Sequence, residues 1–292
     1  MKICIACGKS FISVDWVCPH CGKAPMLNGK FLSFISDVVK PSDSYDSKYF
    51  SELYQIESGH FWFQYRNRLI LWALKTFFPS ARNVLEIGCG TGFVITEIQR
   101  QCPDLAISGS DLYLEGLNFA SERVPDADFY QMDACRLPFL NEFDLILALD
   151  ILEHIEDDQK ALVEIHRALN ENGGIILTVP QHKWLWSMQD VKSFHKRRYS
   201  RRELKERMSS CGFNVVHLSS FISFLLPMMI ISRLYAQLFS IDRRKYDPMR
   251  ELRIHPAISR ILNIICIAEE NVIKRGICLS AGGSMLCVGK RG

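Results

Sequence analysis

Two groups of residues in this chain have the types and spacing to do chemistry. The first is a pair of thiol knuckles. Cys4-Ile5-Ala6-Cys7-Gly8 and Cys18-Pro19-His20-Cys21-Gly22 stand ten residues apart, each a Cys-x-x-Cys pair closed by glycine. Four thiolates at this spacing suit tetrahedral Zn2+, with Cys4, Cys7, Cys18 and Cys21 as the ligands. A redox role would need one pair only, so the duplication points to metal. His20 lies between two ligands and is expected to point away. A ribbon this small has almost no apolar core, and metal binding would supply its folding energy.

The second group begins with Val84-Leu85-Glu86-Ile87-Gly88-Cys89-Gly90-Thr91-Gly92, an apolar strand that enters three glycines and then a helix. Glycine lets a ligand press against the backbone. The third glycine follows the second by two residues. Dinucleotide sites space them by three, where a helix N-terminus meets a pyrophosphate, so nicotinamide chemistry is disfavoured. Asp111 follows Gly92 by 19 residues, just after the next strand. A carboxylate there can accept both hydroxyl hydrogens of a ribose. Met132-Asp133-Ala134 closes the third strand with another acid. One such aspartate would read as a strand-end cap; acids at successive strand ends point to a shared ligand.

The ordered set Leu85–Gly92, Asp111, Asp133-Ala134, Phe143-Asp144-Leu145-Ile146 and Leu152-Glu153-His154-Ile155 resembles the class I S-adenosylmethionine-dependent methyltransferases over residues 83–180. The resemblance implies an α/β fold with a doubly wound, seven-stranded, mostly parallel sheet. It implies that Glu86 and the backbone at Gly88, Gly90 and Gly92 line the methionine end of S-adenosylmethionine. Asp111 would hold the ribose hydroxyls, with Leu112 beside the adenine. Asp133 would meet the adenine amino group, with Ala134 near it, and Leu149 would sit beside the sulfonium. The stretch Phe61-Trp62-Phe63-Gln64-Tyr65-Arg66-Asn67-Arg68 resembles the lead-in helix of small-molecule members, including quinone O-methyltransferases. In those an arginine at about this distance before the first glycine reaches the cofactor carboxylate. Arg68 fits that spacing best, with Arg66 in reserve.

The elements that must position these residues are legible as alternation. Short apolar runs at Val84–Ile87, Ala106–Ser110, Phe129–Met132, Asp144–Leu149 and Ile175–Val179 alternate with amphipathic helices. Such alternation implies a parallel sheet whose strand C-termini share one edge, where ligands bind. A helix carrying Leu162, Ile165 and Leu169 is expected to stop at Asn172-Gly173-Gly174. Further strands are expected at Asn214–Leu218 and Met285–Val288. The domain reading is a zinc ribbon at 1–24, a linker and aromatic lead-in helices at 25–80, the core at 81–220 plus 276–292, and a helical insert at 221–275. Within the linker, Pro41-Ser42-Asp43-Ser44 reads as a turn.

The segment after the fifth strand holds His182, Trp184, Trp186, Asp190, His195, Arg197, Arg198 and Tyr199. It falls at the sheet edge where an acceptor must come. The run from Pro180-Gln181-His182 to Tyr199 resembles a bacterial subgroup often linked to glycan, lipid and secondary-metabolite modification. His195 is the residue expected to act as base or acceptor contact. A positioned general base contributes typically about 10²–10⁴-fold.

Composition bounds the rest. The chain has 292 residues, 48% of them hydrophobic and 23% charged, enough for a large core and against global disorder. A net charge of +3 permits an anionic partner without demanding one. Eleven cysteines could mean disulfides. Yet Met1-Lys2-Ile3-Cys4 runs straight into the first knuckle, so a cytoplasmic, reducing compartment is expected. The apolar stretch Phe221 to Ile231 is shorter than the roughly 20 residues of a spanning helix. It and the Ile258, Ile261, Leu262, Ile265, Ala268, Val272 stripe are expected either to fold against the sheet or to form an apolar lid. A lid could also touch the inner face of the membrane, with Arg233, Arg243, Arg244 and Lys245 on anionic headgroups.

Three functions compete. The first is methyl transfer to an oxygen or nitrogen of a small molecule, glycan or lipid-linked intermediate. The second is RNA methylation, since a zinc ribbon also precedes this domain in ribosomal RNA guanine methyltransferases and the Lys196–Arg207 cations could meet phosphates. Against it, Leu149-Asp150-Ile151-Leu152 stands where many base-methylating enzymes carry an Asn/Asp-Pro-Pro-Tyr/Phe motif. The third, a non-catalytic cofactor-binding protein, is disfavoured by the intact Glu86, Asp111 and Asp133.

Overall fold

The computed structural model describes residues 1–35, 48–238, 247, 249 and 252–292. The expected turn at Pro41-Ser42-Asp43-Ser44 and the cations Arg243, Arg244 and Lys245 lie outside the described residues. In chain order the N-terminal elements are β1 (Lys2–Ile3), β2 (Ser10–Phe11), β3 (Met26–Asn28), β4 (Phe31–Ser33), α1 (Lys48–Ile56) and α2 (Phe61–Phe77). The alternating core follows as β5 (Asn83–Ile87), α3 (Phe93–Gln101), β6 (Ala106–Asp111), α4 (Leu114–Arg123), β7 (Asp128–Gln131), β8 (Phe143–Leu149), α5 (Asp158–Ala168) and β9 (Leu169–Pro180). Then come α6 (Met188–Lys192), α7 (Arg201–Ser210), β10 (Phe213–Phe221), α8 (Leu226–Leu238), α9 (Pro256–Lys274) and β11 (Ser284–Arg291).

The main sheet has the order β10-β11-β9-β8-β5-β6-β7-β4-β3. The run from β9 through β8, β5, β6 and β7 to β4 is parallel, and β10, β11 and β3 pair antiparallel. The central strands β5 and β8 are buried along nearly their whole length because helices cover both faces. Side chains alternate between two cores. Val84, Leu145 and Leu147 pack with Tyr65, Leu69, Ile95 and Leu117 of α2, α3 and α4. Leu85, Ile146 and Ala148 pack with Leu162, Ile165, Leu204 and Met208 of α5 and α7.

Two features depart from the sequence reading and a third adds to it. The sheet has nine strands rather than seven. The extra pair is the hairpin β3–β4, inside the stretch read as linker. Phe31 and Phe34 anchor it by burial, and Leu32 and Ser33 pair in parallel with Tyr130 and Gln131 of β7. Second, α5 stops at Ala168 and β9 starts at once, so Asn172-Gly173-Gly174 lies within a strand. Gly174 is there for close approach: a Cβ would sit 2.4 Å from the Gly289 carbonyl and 2.5 Å from Phe78. Third, the ribbon is docked. Trp16 makes edge contacts with Phe34, Tyr130 and Phe139 at centroid distances of 4.6, 6.1 and 5.6 Å, and Ile3 N–H donates to the Pro138 carbonyl at 2.8 Å.

Between β10 and β11 the described residues include the helices α8 and α9, as expected. The stripe read from the sequence splits: α9 buries Ser259, Leu262, Cys266, Glu269, Glu270 and Ile273, while Ile258, Ile261, Ile264 and Ile267 face outward. Its buried acids explain the shift of face. Glu269 accepts from the Tyr65 hydroxyl at 2.8 Å and from Phe224 N–H at 2.6 Å, which fixes α9 on α2. No described helix is long and apolar enough to cross a membrane.

Candidate active site

The C-terminal ends of β5, β6 and β8 open into a cavity of about 1220 Å3. Its near side is backbone. The loop after β5 turns sharply because Gly88 has φ 69°, and a Cβ there would lie 2.2 Å from Ile151. Asp111 ends β6 and is 8% exposed. It locks the loop by accepting from Gly90 N–H at 2.8 Å and from Tyr113 N–H at 2.9 Å. Burial pushes its carboxyl up, and the backbone donors at Tyr113 and Gly90 oppose that shift. Glu86 is buried at the end of β5, and its Oε2 has no hydrogen-bond partner. Burial pushes it up to about 8, against the pull of Arg66.

A clasp from the lead-in region holds this loop from outside. Glu57 accepts from the Thr91 hydroxyl and from Arg123, both at 2.5 Å, and Arg123 also donates to the Tyr54 carbonyl. Glu57 and Arg123 escaped the sequence reading because their pairing joins residues 66 positions apart.

Of the near-side residues named from sequence, Glu86, Gly88, Gly90, Asp111, Leu112, Asp133, Ala134 and Leu149 all line the cavity. Gly92 does not. It caps α3 at φ 73°, packed on Ala120. Arg68 does not either: it pairs with Glu270 and bonds Asn263 of α9. Two residues earlier on the helix, Arg66 points the other way, lines the cavity, and pairs with Asp150 at 2.6 Å. Asp150 takes φ 54°, a conformation uncommon outside glycine.

The far side is built of side chains. Asp190 is fully buried and accepts from Arg198 Nε at 2.7 Å and Nη2 at 3.1 Å, with His195 Nδ1 at 2.9 Å. Burial opposes ionisation there, but His195 and Arg198 hold its carboxyl well below the usual range. Tyr199 anchors the same segment, donating to Asp158 at 2.6 Å. His195 reaches the cavity, whereas His182, Trp184 and Trp186 are not among its lining. Glu153 and His154 also line it, in the turn after β8. The sequence reading used them only as a family signature. An acid-histidine pair directly after a strand end was the signal available.

Many of the cations in the Lys196–Arg207 run are committed internally. Arg197 and Arg207 meet Asp158, Arg198 meets Asp190, and Arg202 meets Glu206. The insert adds Ile222, Leu225, Met228, Met229 and Ile254 to the cavity lining.

A family model described as "Methyltransferase domain" matches residues 54–218. Among curated relatives, a demethylmenaquinone methyltransferase of Thermotoga maritima is 30% identical over 115 residues, 39% of this chain and 49% of the relative. An ajmaline N-methyltransferase of Rauvolfia serpentina is 28% identical over 156 residues, 51% of this chain and 52% of the relative. The chain thus spans about half the length of these relatives. Among solved structures, phosphoethanolamine N-methyltransferase 2 of Haemonchus contortus, in complex with S-adenosyl-L-methionine, aligns with a TM-score of 0.51 at 19% identity. That alignment covers 77% of this chain and 52% of the other, and at this identity it speaks to fold alone.

Proposed function

The chain belongs to the methyltransferase domain family, and from that premise we propose that it is an S-adenosylmethionine-dependent methyltransferase. The acceptor is an oxygen or nitrogen of a small molecule, a glycan or a lipid-linked intermediate. The observation that carries the reading is the pairing of Glu86 and Asp111 on one cavity wall. Glu86 offers a buried carboxylate oxygen without a partner, the complement of a cationic amino group. Asp111 is fixed by two backbone donors and keeps lone pairs for a ribose diol. S-adenosylmethionine, when bound, supplies a methyl group already activated on sulfur. The chain's residues therefore have to hold and align. Leu112 and Ala134 would flank the adenine, Asp133 would take its amino group, and Leu149 would lie near the sulfur. Arg66 takes the carboxylate role expected of Arg68, and Gly92 shapes the loop from behind. Calorimetry tests this with S-adenosylhomocysteine, which is expected to bind one per chain. Tight NADH binding with no binding of the homocysteine compound would overturn it.

For the acceptor, the apolar lining of the cavity supports an apolar or lipid-linked class. Two relatives are named for demethylmenaquinone and ajmaline. The insert lines the entrance with apolar side chains and exposes Met228, Ile231, Leu234, Ile258, Ile261 and Ile264 outward. Apolar cavity lining on the same insert as outward apolar side chains suits an acceptor drawn from a lipid surface. Flotation with anionic liposomes is expected to carry the protein upward. Protein that stays in the soluble fraction while still binding S-adenosylhomocysteine would leave a soluble acceptor.

The ribbon we assign to one structural Zn2+. Four thiolates about 2.3 Å from an ion form a tetrahedron with edges of about 3.8 Å. Cys4 and Cys21 Sγ stand 3.6 Å apart, and Cys7 and Cys18 Sγ 3.7 Å apart. Elemental analysis is expected to return one zinc per chain, and full zinc retained by a Cys4→Ser, Cys7→Ser variant would refute the assignment.

A further inference from the structure

We propose that Glu153, His154 and His195 form a divalent-cation site on the far side of the cavity, with open positions for oxygen atoms of the acceptor. The proposal rests on the methyltransferase reading for the acceptor's role, and on geometry alone for the ion. One donor atom from each of the three residues lies within 4.8 Å of the other two. Donors about 2.0–2.2 Å from a common ion stand about 3–3.6 Å apart when adjacent and at most about 4.4 Å apart, so side-chain adjustments of up to about 1–2 Å close the site. The residues come from two segments tied to each other. Lys196 N–H donates to the Glu153 carbonyl at 2.6 Å, and His195 N–H donates to the Asp190 carbonyl at 2.9 Å.

Two further observations point to a ligand. Glu153 is 1% exposed, lines the cavity, and leaves its Oε2 without a partner. A buried carboxylate is costly unless it is paired or coordinates a metal. The nearby guanidinium of Arg198 is already committed to Asp190. The imidazole of His195 is also oriented as a ligand would be. Its Nδ1 meets the buried Asp190, which leaves Nε2 for the cavity. A carboxylate behind the second ring nitrogen is the usual support of a metal-binding histidine. The rings of His154 and His195 stand 4.7 Å apart at 83°, edge to face.

Two imidazoles and a carboxylate suit a first-row divalent ion such as Mn2+, Fe2+ or Zn2+ more than Mg2+ or Ca2+, which prefer oxygen donors. Three protein ligands leave positions that an acceptor with two neighbouring oxygens can fill. The ion lowers the pKa of a bound hydroxyl, whose proton then leaves to water. His195 on this reading is a ligand rather than the base.

The test uses the full-length, zinc-loaded protein and Mn2+, which a thiolate ribbon does not favour. Electron paramagnetic resonance of free Mn2+ is expected to show one ion bound per chain. Pulsed measurements should detect 14N couplings from imidazole. Glu153→Gln and His195→Ala are each expected to weaken binding at least tenfold while leaving S-adenosylhomocysteine binding measurable. Wild-type protein that binds S-adenosylhomocysteine but no Mn2+, or Mn2+ without nitrogen coupling, overturns the site and leaves the methyltransferase reading standing. Mn2+ binding unchanged in both variants also overturns it. Failure to bind S-adenosylhomocysteine would sink the methyltransferase reading, not the cation site.

Discussion

The near wall of the cavity is backbone and carboxylates at the ends of adjacent parallel strands; the far wall is side chains gathered from the β8 turn, the segment before α7, and the insert. The near wall is set mainly by local contacts, braced from outside by the Glu57–Arg123 clasp. Gly88, Gly90 and Asp111 are placed by β5, β6 and the hydrogen bonds of one loop. The far wall depends on pairs that the chain must bring together, such as Tyr199 with Asp158 and Arg198 with Asp190. Parallel strands expose the same edge in every protein of this architecture, so a ligand common to many chemistries belongs there. Chemistry particular to one acceptor belongs on the variable side.

The sharpest way to break this contrast is to remove one charge from the far wall. Asp190 is fully buried against Arg198, itself 7% exposed. Asp190 also accepts from Ser187 N–H at 2.8 Å, which starts α6. Asp190→Ala leaves a buried guanidinium uncompensated, and breaking such a pair costs about 3–5 kcal/mol. A urea unfolding curve should show that loss. A loss below about 1 kcal/mol would mean that the segment relaxes to let Arg198 reach water, and that the far wall is not a fixed frame.

The matching change on the near wall should act on binding as well as on folding. Asp111→Ala removes the acceptor for Gly90 and Tyr113 N–H and for the ribose. Each unmet group costs about 1–3 kcal/mol when buried, equivalent to about 5–150-fold in affinity. Calorimetry with S-adenosylhomocysteine is expected to show that drop. Unchanged affinity would take Asp111 out of the site and remove the basis for the contrast.

The same difference governs what the sequence makes legible. Strand ends, the glycine loop and the zinc knuckles are local, so their spacing is enough. Arg66 and Arg68 illustrate the opposite. They lie two positions apart on α2, about 200° around the helix. Spacing alone cannot say which faces the cavity. The answer depends on Glu270, which captures Arg68 from 202 positions away. The hairpin β3–β4 was hidden for a related reason. Its strands are three residues each, too short for periodicity, and Phe31 and Phe34 earn their place only by burial against the finished sheet. The outward isoleucines of α9 could not be told from core by pattern, because Glu269 and Glu270 take the inner face.

The smallest expected effect sharpens the near wall to one group. Burial pushes Glu86 up to about 8, with Arg66 opposing and Asp111 and Glu57 adding to the rise. The empty protein therefore holds this carboxyl mostly protonated at neutral pH. A ligand carrying a cationic amino group needs the ionised form, so binding must first release a proton. With a pKa of about 8, the ionised fraction rises about ninefold between pH 6 and pH 7. Affinity for S-adenosylhomocysteine should rise by the same factor, since the ligand's own amino group stays protonated across that interval. Titration calorimetry at pH 7 in buffers of different ionisation enthalpy should register the release of nearly one proton per ligand. Glu86→Gln should bind more weakly and lose the pH dependence together with the proton release. A wild-type affinity flat from pH 6 to pH 7 would mean that Glu86 is already ionised in the empty cavity. Arg66 would then be its partner before any ligand arrives, and the near wall would share the charge pairing that marks the far one.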